Sequence, residues 1–414
     1  MGEKAKHVME GYRILDFTQA IAGPTCTRLM AEMGAEVIKV ELTPGGDMAR
    51  VLPFYKDGRS GCFVQQNRGK KSLCINPKDP RGAEVIKDLI EKSDVVVENF
   101  AAGVISRLGF GWDVVEKINP KVIMCSISAF GQTGPLSRLP GFDFIAASYA
   151  GVLDMIGEPD GAPMWPMLAL GDATTGVHAL AAINAALLYK ERFGEGQYLD
   201  ISLLDSYFHQ HDVNVEVYSA SGGEISPKRA GAQHYAIAPV GVFKGTDSYM
   251  FIVALEHQWP QLCKAIGRED LLQDPRFNGP ARAENRLELA GIIEDWIQSQ
   301  ESDAAALAIL EAERVPVAPI LSVPEAMAHP HLIERQTIRT IEDPVLGEFQ
   351  IPGMPLRFSR FPETLTLRAP FLGEHNHEVL GDTLSMSSEK IAEMEADGVL
   401  GGEELPASLA LAGE

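Results

Sequence analysis

An aspartate next to a glycine, just ahead of a predicted helix, has the surroundings that most favour covalent chemistry. Asp172 lies in Gly171-Asp-Ala-Thr-Thr-Gly-Val-His178, after the apolar stretch 165–170. In one interpretation its carboxylate caps the helix, which contributes about 1 kcal/mol. In the other it is a nucleophile that the helix N-terminus keeps ionised, with room beside Gly171 for a bulky acyl group. These residues alone leave both interpretations open.

Basic and aromatic residues follow several predicted strand ends in the first third of the chain. They are Lys39, the segment 67–72, the segment 98–100, Arg107 and Phe130. Open α/β sheets bind ligands at the carboxyl ends of their parallel strands. Cations beside aromatic faces suit a phosphorylated adenine nucleotide, although each such residue taken singly also occurs as ordinary surface charge.

The first predicted strand-to-helix turn, residues 16–24, argues against a dinucleotide-binding protein. Such a protein carries G-x-G-x-x-G there, so that the backbone can approach a pyrophosphate. This chain has Phe17, Thr18 and Gln19 in those places. Glu41 ends the next strand, but without the glycines it indicates no ribose site. A dehydrogenase is not predicted.

Neither the histidines nor the cysteines form a metal-binding pattern. His209 and His211 are two residues apart, as are His329 and His331, with no cysteine or carboxylate at ligand spacing. The five cysteines are widely spaced and contain no C-x-x-C pair. We therefore predict no metal and no disulfide framework, and the thiols fit a reducing cytoplasm.

The composition is that of a folded, acidic protein. Of the 414 residues 45% are apolar and 22% charged, and the formal net charge is −21. Such a surface repels nucleic acid and anionic lipid, so neither is expected as a partner. The apolar segment 177–189 contains His178 and Asn184 and is shorter than the ~20 residues of a membrane span. Residues 1–10 do not resemble a signal peptide, and we expect a soluble cytoplasmic protein.

Alternating strand and helix signals predict an α/β fold with a parallel sheet. The predicted strands are 12–17, 35–41, 94–98, 121–127 and 198–203, and the predicted helices are 26–33, 80–91 and 174–193. Residues 219–238 are dominated by Gly, Ser, Pro and charge, which is typical of a connection between domains. The residues that follow, to about 319, predict a smaller α+β domain with a strand pair around 245–248.

Eight segments in a fixed order carry a family resemblance. They are Arg13-Ile-Leu-Asp-Phe17 with Ala22-Gly-Pro24, Gly34-Ala-Glu-Val-Ile-Lys-Val-Glu41, Asn67-Arg-Gly-Lys-Lys-Ser72, Asp94-Val-Val-Val-Glu-Asn-Phe100, Ser128-Ala-Phe-Gly131, Gly171-Asp-Ala-Thr-Thr-Gly176, Gly194-Glu-Gly-Gln197 and Leu372-Gly-Glu-His-Asn376. Together they resemble the class III coenzyme A transferases of the CaiB/BaiF type. That family includes formyl-CoA:oxalate and carnitine CoA-transferases and also α-methylacyl-CoA racemase. The likeness covers nearly the whole chain.

The resemblance implies that Asp172 is a nucleophile in the transfer of coenzyme A between carboxylic acids. The intermediates would be an aspartyl anhydride and an aspartyl-CoA thioester. The partners would be an acyl-CoA, such as succinyl-CoA, and a small carboxylic acid, with no tightly bound cofactor and no metal. The implied CoA-binding positions are Gln19, Ala20, Lys39, Lys71, Asn99, Phe100, Arg107 and Phe130.

The chain departs from the family at three places. Phe130 replaces a tyrosine of the formyl-CoA transferases, and Phe142 replaces the histidine that racemases use as an acid or base. The loop 228–235 has one glycine where oxalate-using members have a run, which argues against oxalate and leaves Gln233 and His234 as candidate acceptor-side groups. A racemase is the alternative function, followed by a non-catalytic CoA-binding subunit, against which the intact Asp172 argues.

The family fold further implies an interlocked homodimer whose two chains thread through each other. Its large Rossmann-like domain would combine residues 1–218 with residues 326–414. The linker and the small α+β domain would occupy residues 219–325. The composition changes near residues 219 and 315 agree with this division.

Overall fold

The main sheet of the chain is parallel and has six strands, in the order β5-β2-β1-β6-β7-β8. The computed structural model describes residues 7–406. The strands are β1 (Arg13–Asp16), β2 (Glu36–Leu42), β3 (Tyr55–Lys56), β4 (Arg59–Ser60), β5 (Lys70–Ile75), β6 (Val95–Glu98), β7 (Ile123–Ser128), β8 (Gln197–Ser202), β9 (Val240–Lys244), β10 (Tyr249–Val253), β11 (Val317–Pro319), β12 (Ile338–Asp343) and β13 (Gly347–Pro352). The predicted α/β fold with a parallel sheet is confirmed.

Helices connect these strands. They are α1 (Ala22–Glu32), α2 (Gly61–Asn67), α3 (Pro80–Glu91), α4 (Val104–Arg107), α5 (Trp112–Ile118), α6 (Asp143–Tyr149), α7 (Leu170–Phe193), α8 (Leu203–Phe208), α9 (Asn214–Ala220), α10 (Trp259–Ala265), α11 (Ala281–Glu284), α12 (Arg286–Gln298), α13 (Asp303–Ala312), α14 (Val323–Met327), α15 (Pro330–Glu334), α16 (Asn376–Glu378) and α17 (Ser388–Ala396). The start of α3 at Pro80 agrees with the prediction, since proline fits the first helical turn.

The prediction was wrong about where two helices begin. Helix α1 begins at Ala22 rather than residue 26, and α7 begins at Leu170 rather than residue 174. Close packing accompanies both early starts, since a Cβ atom on Gly23 would overlap Thr18 and one on Gly171 would overlap Tyr207. A Cβ atom on Gly176 of α7 would lie 2.6 Å from the Ala22 carbonyl oxygen, so α7 rests directly on the first turn of α1.

The sheet owes its stability to apolar strands that are covered on both faces, as parallel strands usually are. Leu15, Ile38, Leu73, Val96 and Met124 come from five different strands and are almost completely buried in one core. In register, Asp16 of β1 lies opposite Lys39 of β2 and Val97 of β6. The carboxyl ends of the central strands therefore lie at one edge of the sheet, with the turns that follow them.

The chain divides into two compact units. The first comprises residues 7–150, 166–210 and 330–406 of the described chain and contains the parallel sheet. The second comprises residues 151–165 and 211–329 and contains an antiparallel sheet in the order β11-β10-β9. Strands β9 and β10 form the hairpin predicted around residues 245–248. The domain limits at 1–218, 219–325 and 326–414 and the interlocked dimer stay predictions.

The structure also describes the helices and cysteines that the sequence analysis considered. None of the helices in the described range 7–406 has the length and apolar character needed to cross a membrane. All five cysteines are free thiols, and four of them are buried.

Candidate active site

Asp172 lies within the first turn of α7 instead of preceding the helix. The N-cap residue is Ala169, and the helix has no side-chain cap. Within residues 7–406 no group donates a hydrogen bond to the Asp172 carboxylate. The capping interpretation is therefore wrong for this side chain, and its carboxylate is left for another use.

Gly171 is enclosed by two side chains from other helices. A Cβ atom there would overlap the Tyr207 ring and the Asp143 carboxylate, and would lie 2.6 Å from Tyr207 Cζ. The space beside Gly171 that was expected to receive an acyl group is filled by these two residues. Glycine is needed at this position to let α6 and α8 reach the start of α7.

The Asp172 carboxyl is held in an environment that opposes its charge. Burial, followed by repulsion from Asp143, raises the pKa of Asp172 to about 7. Burial also raises the pKa of Asp143, and the Tyr207 hydroxyl with the N–H groups of Gly171 and Asp172 offsets part of that rise. Perturbed carboxyl groups of this kind concentrate at active sites.

A cavity of about 340 Å³ opens in front of Asp172 at the carboxyl edge of the sheet. Its walls are mostly apolar and come from the turns after β1, β6 and β7, from the start of α8 and from the loop before α6. The cavity brings six of the nine predicted site residues together: Gln19, Ala20, Asn99, Phe100, Phe130 and Asp172. It also includes Phe142, which is 70% exposed.

The turn after β1 is fixed from two sides. The Asn99 amide accepts a hydrogen bond from the Gln19 N–H at 2.7 Å and donates one to the Gln19 carbonyl at 2.8 Å. Ala20 has a φ of +61°, which is unusual for a residue with a Cβ atom, and its N–H donates to Asp47 at 2.9 Å. These contacts hold the backbone in place at the cavity wall.

Lys39 and Lys71 lie away from this cavity. Lys39 is completely buried, pairs with Asp47 at 2.8 Å and donates to the Thr18 carbonyl at 2.6 Å. Its side chain supports the turn after β1 from beneath. Lys71 pairs with two glutamates, Glu36 at 2.7 Å and Glu378 at 2.8 Å. The structure does not bring either ammonium group to the predicted ligand site.

Arg107 lines a neighbouring cavity of about 490 Å³ together with a second arginine, Arg138. The two cavities share Ala101, Ala102 and Ser137. Two guanidinium groups in one cavity suit the phosphates of a ligand that extends from the Asp172 cavity. Sequence reasoning missed Arg138, which lies in a Gly- and Pro-containing loop where only its charge could have been noticed.

A buried ionic network under the same turn was also missed. Asp16 accepts hydrogen bonds from Lys70 Nζ at 2.9 Å, from Thr27 at 2.9 Å and from the Thr18 N–H at 2.8 Å. Burial alone would raise the pKa of Asp16, but the charges of Lys70 and Lys39 lower it to about 2. Burial, only partly offset by Asp16, lowers the pKa of Lys70 to about 8. This network orients β1 and α1 and does not reach the cavity.

Comparison with known proteins identifies the family of the chain. A family model described as CoA-transferase family III matches residues 9–376. The chain belongs to CoA-transferase family III. It is 34% identical over 398 residues to a succinyl-CoA:glutarate CoA-transferase of Mus musculus, covering 95% of this chain and 90% of that protein. A formyl-CoA:oxalate CoA-transferase of Streptomyces coelicolor is 34% identical over 410 residues, covering 95% and 99%.

A solved structure shares the fold of this CoA-transferase. The crystal structure of a CaiB/BaiF family protein from Brucella suis matches with a TM-score of 0.79 and 32% identity. The match covers 91% of this chain and 99% of that one. The family resemblance noted in the sequence is thereby confirmed.

The two candidate acceptor-side residues of this CoA-transferase belong to the second unit. Gln233 is buried and donates to the Val242 carbonyl at 2.7 Å, which is a structural contact. His234 Nδ1 accepts the N–H groups of Ala236 and Ile237, both at 3.1 Å. Burial lowers the pKa of His234, so the ring is neutral with its proton on Nε2. Their role as acceptor ligands stays a prediction.

Proposed function

We propose that this enzyme transfers coenzyme A from an acyl-CoA donor to a carboxylic acid acceptor, with Asp172 as the covalent carrier. The observation that carries the proposal is a carboxylate without a hydrogen-bonding partner in the described chain, which faces an apolar cavity and has a pKa of about 7. A carboxylate that is poorly solvated and unpaired is a strong nucleophile at neutral pH. A purely structural aspartate would be paired or capping.

The reaction proceeds by exchange of activated carboxyl groups. An Asp172 oxygen attacks the thioester carbonyl, a C–O bond forms, the C–S bond breaks, and the CoA thiolate leaves with the electron pair. The thiolate then attacks the Asp172 carbonyl of the mixed anhydride, which releases the donor acid and forms an aspartyl-CoA thioester. The acceptor carboxylate displaces the thiolate to form a second anhydride. Attack of the thiolate on the acceptor carbonyl gives the new acyl-CoA and frees Asp172.

The cavity supports this chemistry through placement and the exclusion of water. Water would hydrolyse an anhydride and end the transfer. The apolar wall formed by Ile21, Phe100 and Phe130 limits the access of water. In our proposal the pantetheine arm occupies the Asp172 cavity and the nucleotide phosphates lie near Arg107 and Arg138. The fixed backbone at Gln19 and Ala20 would hold the thioester against Asp172.

Succinyl-CoA is our proposed donor, and a small dicarboxylic acid our proposed acceptor. The support is the succinyl-CoA:glutarate CoA-transferase named above, which is 34% identical to this chain over 398 aligned residues. The single glycine in the loop 228–235 is the reason for not choosing oxalate, despite the similarity to a formyl-CoA:oxalate enzyme. A panel of acceptor acids assayed with succinyl-CoA would identify the substrate.

Mass spectrometry of the intact protein tests the covalent step. Incubation with succinyl-CoA should give an adduct on the wild-type chain, and Asp172→Ala should abolish both the adduct and CoA exchange. Asp205→Asn is a matched control, because this exposed carboxylate on α8 bonds to Ser202 and lies outside the cavity. An Asp172→Ala variant that still exchanges CoA would refute the proposal. Racemisation of a 2-methylacyl-CoA without an acceptor would favour the alternative, which Phe142 in place of histidine argues against.

We also propose that the enzyme works as an interlocked homodimer in the cytoplasm. Helix α7 exposes large apolar side chains along its length, among them Leu170, Val177, Leu188 and Phe193. A helix that is apolar on several sides is normally covered by other protein. The free thiols suit a reducing compartment.

A further inference from the structure

Asp143 places a second carboxylate against the residue that we propose as nucleophile. It is the first residue of α6, it is 5% exposed, and neither of its buried oxygens has a well-formed hydrogen bond within the described chain. The Asp143 carboxylate faces the N–H groups of Gly171 and Asp172 and the Tyr207 hydroxyl. It therefore occupies the N-terminus of α7, where a negative charge is otherwise most favourable.

Close packing keeps Asp143 in this place. The overlap that a Cβ atom on Gly171 would make with Asp143 shows that the carboxylate lies directly against the α7 backbone. On the other side, a Cβ atom on Gly141 would lie 2.5 Å from Ala129 Cβ and 2.9 Å from Phe130 Cε2, so the start of α6 is pressed against the turn after β7. Asp143 cannot move far from Asp172 without disturbing both contacts.

No cation of residues 7–406 offsets the charge of Asp172 beside Asp143. Asp143 from α6 is the one charged group of the described chain that acts on Asp172. From α8 the facing titratable group is Tyr207, whose pKa burial raises, so that it stays neutral. Helix α1 presents Thr25 to α7, and its charged residues Arg28 and Glu32 pair with each other at 2.9 Å.

We propose that Asp143 is a positioning residue that activates Asp172 by occupying the N-terminus of α7 and by repelling the Asp172 carboxylate. This inference rests on the proposed function. The repulsion exists only while Asp172 is ionised. When Asp172 attacks the thioester, its charge passes to the departing CoA thiolate, and the acylated carboxyl group is neutral. Formation of the acyl-enzyme therefore relieves the repulsion and is favoured by it.

The pH dependence of acyl-enzyme formation tests this role. In the wild type the rate should fall as the pH drops below about 7, because Asp172 becomes protonated. In Asp143→Asn that fall should move to lower pH by about one unit or more, since a neighbouring like charge has been removed. At pH 8.5, above the pKa of Asp172, the variant should react about tenfold more slowly, because the neighbouring like charge is gone. The two pH profiles should therefore converge at low pH, where the lower pKa of Asp172 in the variant offsets its slower reaction.

Controls separate this role from a structural one. Asp205→Asn should keep the wild-type profile, while general damage to the fold would lower the Asp143→Asn rate at every pH without moving the profile, which would overturn the inference. If Asp143→Asn does not fold, carbon-13 NMR of labelled aspartates in Asp172→Asn gives the reciprocal test, and Asp143 should titrate at lower pH than in the wild type. An unchanged Asp143 titration would overturn the inference, whereas an adduct that survives in Asp172→Ala would instead refute the proposed function.

Discussion

For single residues, the burial that opposes the charge of Asp172 also destabilises the folded chain. We predict that Asp172→Asn raises the free energy of unfolding by about 1–3 kcal/mol at pH 8, because it removes a poorly solvated charge. Chemical denaturation of both proteins measures the difference. An Asp205→Asn variant should show no comparable gain.

The sign of the pH dependence follows from the raised pKa. The folded pKa of Asp172 is about 7, and the ordinary value is 3.8, so between these values the folded chain binds more protons than the unfolded chain. This contribution to stability is present at low pH and is lost as the pH rises through about 7. The advantage of Asp172→Asn should therefore be full above pH 7 and absent below about pH 4. An advantage that grows on acidification would contradict the assigned pKa.

The close packing around Gly171 leads to a second prediction for a single residue. Gly171→Ala should destabilise the protein by about 2–3 kcal/mol and abolish CoA exchange, because the new methyl group overlaps Tyr207 and Asp143. The matched control is Gly291→Ala inside α12, where nothing lies within 4 Å of the added Cβ atom. That variant should gain about 0.5–1 kcal/mol of stability from helix propensity. Thermal unfolding of both variants distinguishes steric overlap from a general effect of alanine.

Among the secondary-structure elements, the turn between β1 and α1 depends on one amide of the turn after β6. Asn99→Ala removes both hydrogen bonds to Gln19 and should raise the KM for acyl-CoA about tenfold, which corresponds to about 1.4 kcal/mol. The kcat should change less, since Asp172 and Asp143 are untouched. Steady-state kinetics with succinyl-CoA measure the changes in KM and kcat separately.

Asn119→Ala is the control for that variant. Its amide likewise joins two loops, donating to the Ser93 carbonyl at 2.9 Å and accepting the Lys121 N–H at 3.1 Å, but it lies outside both cavities. It should lose similar stability and keep its KM. Equal KM changes in the two variants would show that the Asn99 effect is general loosening of the fold.

The elements also show why only part of this site was predictable. Strands such as β6 and β7 were predictable because a strand buried on both faces is a continuous apolar run, and Asn99 and Phe100 follow directly from the end of β6. The start of α7 was not, because Gly171 and Asp172 are poor helix formers and Gly171 packs against Asp143 of α6 and Tyr207 of α8. The burial of Lys39 depends on Asp47, eight residues later, and no local pattern indicates that pairing.

For the whole molecule, net charge and exposed apolar surface have opposite effects on association between chains. A formal charge of −21 keeps chains apart, whereas exposed apolar side chains on one long helix favour association. Exposed apolar side chains recur on α7 from Leu170 to Phe193, and the charge is spread over the chain. We therefore expect short-range burial to dominate at physiological ionic strength, where exposed charges are screened beyond about 8 Å.

Helix α7 is accordingly where association can be tested. Leu188 is 53% exposed on this helix, and Leu188→Glu should shift the proposed dimer toward monomer or aggregate in sedimentation experiments, because the proposed interface would bury a charge without a partner. Leu287→Glu is the control, since Leu287 is 67% exposed and is the one large apolar side chain that α12 exposes. A Leu188→Glu protein that remains dimeric, with unchanged stability, would mean that the proposed interface does not include this face of α7. Loss of the dimer together with loss of CoA exchange would place the complete active site in the assembled protein, as an interlocked dimer requires.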